Sequence, residues 1–139
     1  MVARSEGRGQ GLGRGGSAWP SAAPASSTRR RGAQAEQRVS QYLQRAGLHL
    51  LATNVLYKVG EIDLVMTDGP TWVFVEVRSR RSAAFGGAAA SVDGRKQMRL
   101  RRAAQCLLIE RFGRGQWPPC RFDVVAIEAG QLQWIKDAF

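Results

Sequence analysis

The sequence is poor in the residues from which many small sites are built. Of 139 residues, two are cysteines (Cys106 and Cys120) and one is a histidine, His49. That inventory excludes a disulfide framework and a zinc site, and it gives neither thiol an evident partner for nucleophilic catalysis. Long apolar runs are also missing. None reaches the roughly eighteen residues of a membrane-spanning helix, and the arginine-bearing N-terminal stretch has no apolar core of the secretory-signal kind. A reducing, cytoplasmic setting without membrane association is expected. Acidic side chains are scarce as well, 11 against 21 basic ones, for a formal charge of +10. Such an excess calls for a polyanionic partner, most simply nucleic acid. The length fits one domain, and a hydrophobic content of 44% excludes a wholly disordered chain.

The charge is not spread evenly. Residues 1–32 carry six arginines against Glu6, a net of +5, in a Gly/Ser/Ala/Pro-rich stretch with no helical or strand period. Residues 1–31 are therefore expected to be a disordered basic tail, and 32–139 the folded domain. Within the domain, the segment from Arg78 to Arg102 holds eight basic residues against Asp93 alone, a net of +7. Arg78, Arg80, Arg81, Arg95, Lys96, Arg99 and Arg102 are the candidate phosphate-binding set. The plainer alternative is a solvated helix face and a solubilising tail.

Periodicity supplies the elements. Ala35, Val39, Tyr42, Leu43 and Ala46 recur at helical spacing between Gly32 and Gly47, with Gly47 as the stop. Residues 49–57 read as a first strand, and Glu61 to Thr67 as a second. Asp68-Gly69-Pro70 turns the chain into a third, Thr71 to Ser79, which makes an antiparallel hairpin. After an Ala/Gly-rich loop, Asp93 is placed to cap a helix from Gly94 to Phe112, its apolar side formed by Met98, Ala103 or Ala104, Leu107 or Leu108, and Phe112. Phe122 to Ile127 and Leu132 to Ile135 complete the strands. The order α-β-β-β-α-β-β predicts an α/β fold, a mixed sheet of about five strands flanked by two helices.

Carboxylates occupy places where strands should be apolar. Alternation sets Trp72, Phe74, Glu76 and Arg78 on one face of the third strand. In the second, it groups Ile62, Leu64 and Met66 against Glu61, Asp63 and Val65. Asp63 and Glu76 sit on neighbouring strands, about 5 Å apart in a sheet. Two carboxylates that close repel, and a divalent cation such as Mg²⁺ or Mn²⁺ is the usual remedy. Strict alternation does not guarantee that both point the same way, so a bulge or bend near Asp63 is called for. Arg78 lies on the face of Glu76, where a cation can hold a phosphate. The alternative is an ordinary ion pair on an exposed sheet face. Glu36 borders the apolar stripe of the first helix and is placed to reach over the sheet; alone, it reads as a surface glutamate near a helix start. Asp123 alternates with Val125 and Ile127 and is expected to pair structurally with Arg121 or Arg78.

The run Gly60-Glu61-Ile62-Asp63-Leu64-Val65, followed by Val73-Phe74-Val75-Glu76-Val77-Arg78-Ser79-Arg80, resembles the core of the bacterial YraN family. The resemblance extends from about residue 32 to 136, including Gly32-Ala33-Gln34-Ala35-Glu36, Asn54, and Arg121-Phe122-Asp123-Val124-Val125. That family is assigned to the PD-(D/E)XK nuclease superfamily, near the archaeal Holliday-junction resolvases. The resemblance implies a restriction-endonuclease-like fold and Mg²⁺- or Mn²⁺-dependent cleavage of DNA, branched or structured DNA included, more than RNA. It makes Asp63 and Glu76 metal ligands, supported by Glu36, and puts Arg78 where the superfamily has a lysine. Arginine stays protonated and can position but not activate water. Either the metal alone activates the water, or Lys96 takes over the lysine's role as a catalytic residue beside Asp63, Glu76 and Arg78. Resolvase-like proteins are often dimers, so a homodimer is among the expected partners. A non-catalytic nucleic-acid-binding or adaptor protein that keeps the fold is the competing expectation.

Overall fold

The computed structural model of the chain describes Trp19, residues 27–80 and residues 91–139. Most of the expected basic tail, and Arg81 with the loop after it, lie outside the described residues. Among the described residues, seven elements follow in order: α1 (Ser27–Arg45), β1 (His49–Tyr57), β2 (Gly60–Asp68), β3 (Thr71–Arg80), α2 (Gly94–Phe112), β4 (Cys120–Glu128) and β5 (Gln131–Ile135). They form one sheet in the order β1-β2-β3-β4-β5. All pairings are antiparallel except β3 with β4, which is parallel. A parallel neighbour needs a long crossover, and α2 provides it. The fold is the expected mixed α/β sheet with two helices.

The helix ends have local causes. The first helix begins at Ser27 rather than Gly32, since arginine is a good helix former and the Arg29-Arg30-Arg31 run contains nothing to stop it. It closes at Gly47, whose φ of 107° suits glycine, and the Leu48 N–H returns to the Leu43 carbonyl at 3.0 Å. Asp93 caps α2 by accepting the Lys96 N–H at 3.0 Å.

Each sheet face has its own core. Val39 and Leu43 of α1 pack on Leu64, Met66, Val73, Val75, Val125 and Ile127. On the other face, Leu100, Ala103, Ala104, Leu107 and Leu108 of α2 pack on Val55, Ile62, Val65 and Phe74. The apolar side expected for α2 needs correction. Met98 and Phe112 are among the exposed large side chains, and Leu100 is buried instead. Leu100 lies in line with Ala103, Ala104 and Leu107, whereas Met98, two residues earlier, is turned some 200° around the helix. The second helix also comes very close to the sheet: a Cβ on Gly60 would overlap the backbone carbonyl of Arg99.

A second correction concerns β2. Leu64 and Met66 join the core under α1, but Ile62 joins the core under α2. Alternation therefore changes phase between Ile62 and Leu64. The cause is visible on the neighbouring strand. Thr53 pairs with Leu64 and Val55 with Ile62, which sets Asn54 opposite Asp63. Asn54 has a φ of 50°, a left-handed conformation that asparagine tolerates better than most non-glycine residues. The twist turns Asp63 toward α1. Asn54→Gly should therefore be tolerated by the backbone, while Asn54→Val should cost about 1–2 kcal/mol more. Urea unfolding of the two variants checks this, and equal midpoints would remove Asn54 as the cause of the phase change.

Candidate functional site

The hydrogen-bonded ladder between β2 and β3 runs from Asp68↔Thr71 to Leu64↔Val75. One residue further, Asp63 would face Glu76, and there the ladder stops. β3 continues, still paired with β4 as far as Arg80. The edge left by β2 is closed by a side chain: the Val77 N–H donates to Asp63 Oδ2 at 2.8 Å. The opening between the strands becomes a cleft of about 730 Å³, lined by Glu36, Asp63, Glu76, Arg78, Arg80 and Lys96. Gly32, Ala35, Val77, Ser79 and Ile127 form the rest of its wall, with Ala129 and Gly130 of the β4–β5 turn.

Glu76 is the most constrained of these residues. It is 1% exposed, so the ion pair it makes is not one on an exposed sheet face. Its Oε2 lies 3.4 Å from Arg78 Nη1 and 3.5 Å from Lys96 Nζ. Its Oε1 is buried and, among the described residues, has no hydrogen-bond partner. Burial raises the Glu76 pKa even though Lys96 and Arg78 pull it down. Asp63 is pushed well above the usual carboxylate range by burial and then by the charge of Glu76, against the bond from Val77. Glu36 is also raised by burial, opposed by hydrogen bonding with Asn54 and Asp63. Three acids thus share a pocket in which each is costly to ionise.

The expected residues divide into groups. Glu36, Asp63, Glu76, Arg78, Arg80 and Lys96 all reach the cleft. Arg95, Arg99 and Arg102 are exposed and stand outside it; their spacing puts them along one flank of α2. Asp123 is fully buried and paired with Arg121 at 3.0 Å, with the Trp134 Nε1–H and the Asp137 N–H also donating to it at 2.9 Å. Of the two expected partners it takes Arg121, which also reaches Asp68 at 3.0 Å. His49 and Cys120 are exposed. Ser91 was not singled out in the sequence; its Oγ accepts from Arg78 Nε at 2.7 Å and so aims the guanidinium. A serine at the end of a loop carries no signal of such a role. Asn54 carried one in its tolerance of left-handed backbone, though only its partner strand shows why that matters.

Among the described residues, no three His, Cys, Asp or Glu side chains meet as a ready-made metal cluster. A pair of carboxylates is nonetheless a fit for a hard cation. Mg²⁺ commonly takes one or two carboxylates and leaves its other positions to water and phosphate, and the orphaned Glu76 Oε1 is an oxygen in need of a partner. Among the described residues, no helix is long and apolar enough to cross a membrane.

A model of the uncharacterised protein family UPF0102 matches residues 35–127. A UPF0102 protein of Yersinia enterocolitica is 56% identical over 108 residues, covering 78% of this chain and 92% of the relative. One from Serratia proteamaculans matches to the same extent. Another, from Yersinia pseudotuberculosis, is 52% identical over 113 residues, 81% of this chain and 97% of the relative.

Raised carboxylate pKa values have a thermodynamic sign. Acids that hold their protons more tightly when folded stabilise the protein below the ordinary Asp value of 3.8, and that contribution is lost as the pH rises through the folded pKa. In metal-free protein, Asp63→Asn removes the penalty while keeping an oxygen for the Val77 N–H. The variant should gain stability relative to wild type between pH 5 and pH 8. Urea midpoints at both pH values measure it; a constant difference would mean that Asp63 ionises without strain.

Proposed function

The chain belongs to the UPF0102 family, and from that footing we propose that it is a divalent-metal-dependent nuclease acting on DNA, branched or structured DNA in particular. The observation that carries this reading is Glu76: a buried carboxylate with one oxygen unpartnered among the described residues, next to Asp63 where β2 and β3 part. Asp63 and Glu76 would hold Mg²⁺ or Mn²⁺, with Glu36 supporting from α1. When bound, the ion would supply charge stabilisation at a phosphodiester and a more acidic water.

The chain's own residues provide the rest. Arg78, aimed by Ser91, and Arg80 present cations at the cleft, suited to holding a phosphate. Lys96 approaches from α2, its compact ammonium placed beside Glu76 where it can orient a water. The first turn of α2 has no acid beyond the Asp93 cap and carries Arg95 and Lys96. Cations there are unfavourable with the helix dipole unless an anion is nearby. Arg95, Arg99 and Arg102 extend the positive surface for duplex phosphates.

Purified protein on plasmid, flap and four-way-junction DNA with Mg²⁺ or Mn²⁺ tests the proposal. Asp63→Ala and Glu76→Ala should each lower cleavage at least about 100-fold, the scale on which losing one charge-stabilising group acts. Cleavage that survives both substitutions would place the chemistry elsewhere.

Replacing Arg95, Arg99 and Arg102 together by alanine should flatten the salt dependence of DNA binding by about 0.9 per lost phosphate contact. Mn²⁺ affinity should stay as in wild type. An unchanged slope would remove the α2 flank from the interface.

One observation favours a second reading, a non-catalytic DNA-binding module: Glu76 Oε2 already faces two cations. Salt-dependent DNA binding together with no saturable Mn²⁺ site would select that module over the enzyme.

A further inference from the structure

A second depression adjoins the cleft and shares Glu36 with it. It lies between α1 and β1 and has a volume of about 350 Å³, within the roughly 300–1,000 Å³ of small-ligand sites. Gln37, Gln41 and Gln44 form a stripe along its helix wall, and Leu50, Thr53 and Asn54 form its strand wall. Gln37 and Gln41 are exposed, and the Gln44 amide donates to Ser40 Oγ at 2.9 Å. Leu50 is among the exposed large hydrophobic residues.

The two cavities differ sharply in chemistry. The cleft presents Arg78, Arg80 and Lys96, whereas the lining of the groove, among the described residues, includes no lysine or arginine. Phosphates are held chiefly by cations, so the groove is poorly suited to a sugar–phosphate backbone. Carboxamides offer a donor and an acceptor side by side, the pattern that matches a base edge. An exposed apolar side chain next to them gives the base a surface to lie against.

We propose that this groove receives the nucleobase of an unpaired nucleotide next to the phosphate held in the cleft. The inference rests on the nuclease reading of the cleft and narrows its substrate to DNA with a single-stranded tail or branch at the cut. A base in a duplex would have to leave its stack to enter, and that step costs least for a base that is already unpaired. Glu36, on the wall common to both cavities, marks where the backbone would pass from one to the other.

The test is equilibrium binding of the full chain in EDTA, so that nothing is cut, at one salt concentration. The probes are a blunt duplex, the same duplex with a short single-stranded tail, and one whose tail is abasic. Wild type should prefer the tailed duplex about tenfold, on the scale of one stacked or hydrogen-bonded base, and should lose that preference with the abasic tail. Gln37→Leu/Gln41→Leu, at exposed helix positions, should bring tailed and blunt affinities within about twofold of each other while leaving the blunt affinity unchanged. A preference that survives the double substitution or the abasic tail overturns the groove as a base site. So does equal binding of tailed and blunt duplex by wild type, in which case the nuclease reading still stands. Absence of binding to any of the three probes overturns the DNA reading itself, and the groove with it.

Discussion

The carboxylate of Asp63 closes a backbone hydrogen bond that the ladder between β2 and β3 does not make. Beyond Leu64, β2 parts from β3 while still paired with β1, and the Val77 N–H would face an open gap without Asp63 Oδ2. A buried, unpaired N–H is costly, so this acid is held by the sheet as firmly as a ladder residue. The same substitution of side chain for strand opens the cleft, because β2 no longer occupies the space beside Glu76. Sheet closure and site formation are one event here. Asp63 cannot be withdrawn from the cleft without leaving the edge of β3 unsatisfied.

The chain has a built-in comparison for its buried acids. Asp123 and Glu76 both lie in central strands and are almost fully buried. Asp123 receives an arginine, an indole N–H and a backbone N–H, and it ties β4 to β5 and to the C-terminal turn. Among the described residues, Glu76 has two cations on one oxygen and no hydrogen-bond partner on the other. Folding alone explains the first arrangement. It does not explain the second, since a carboxylate buried with an orphaned oxygen destabilises the fold. Natural proteins keep such costs chiefly at sites that do something.

Much of the frame could be read in the residues. The third strand and the second helix were legible because β-branched alternation, the Asp93 cap and the Asp68-Gly69-Pro70 turn act locally. The oddity of Asp63 and Glu76 was legible too, because a carboxylate among apolar strand residues breaks a pattern that single-residue physics enforces. Which way Asp63 points was not. That depends on a left-handed residue, Asn54, on the adjacent strand, and strand pairing is a long-range fact. The apolar side of α2 was misread at Met98 for a related reason: several apolar residues compete for one stripe, and only the packing partner chooses among them. Arg78 and Ser91 are thirteen positions apart in the chain, and no local rule joins them.

Packing and chemistry meet at one contact. Arg78 comes from the sheet itself, but Lys96 comes from a separate layer, and its reach depends on how deeply α2 sits. That depth is set where Gly60 lets the Arg99 backbone approach the start of β2. Lys96 lies just under one turn before Arg99 on a rigid helix, so moving that contact outward moves the ammonium away from Glu76 by a similar distance. At 3.5 Å the pair is already near the limit of an ion pair. A glycine at the start of the second strand therefore bears on the cleft without touching it. Its role follows from its having no side chain, which permits a cation from one layer to meet a carboxylate buried in another.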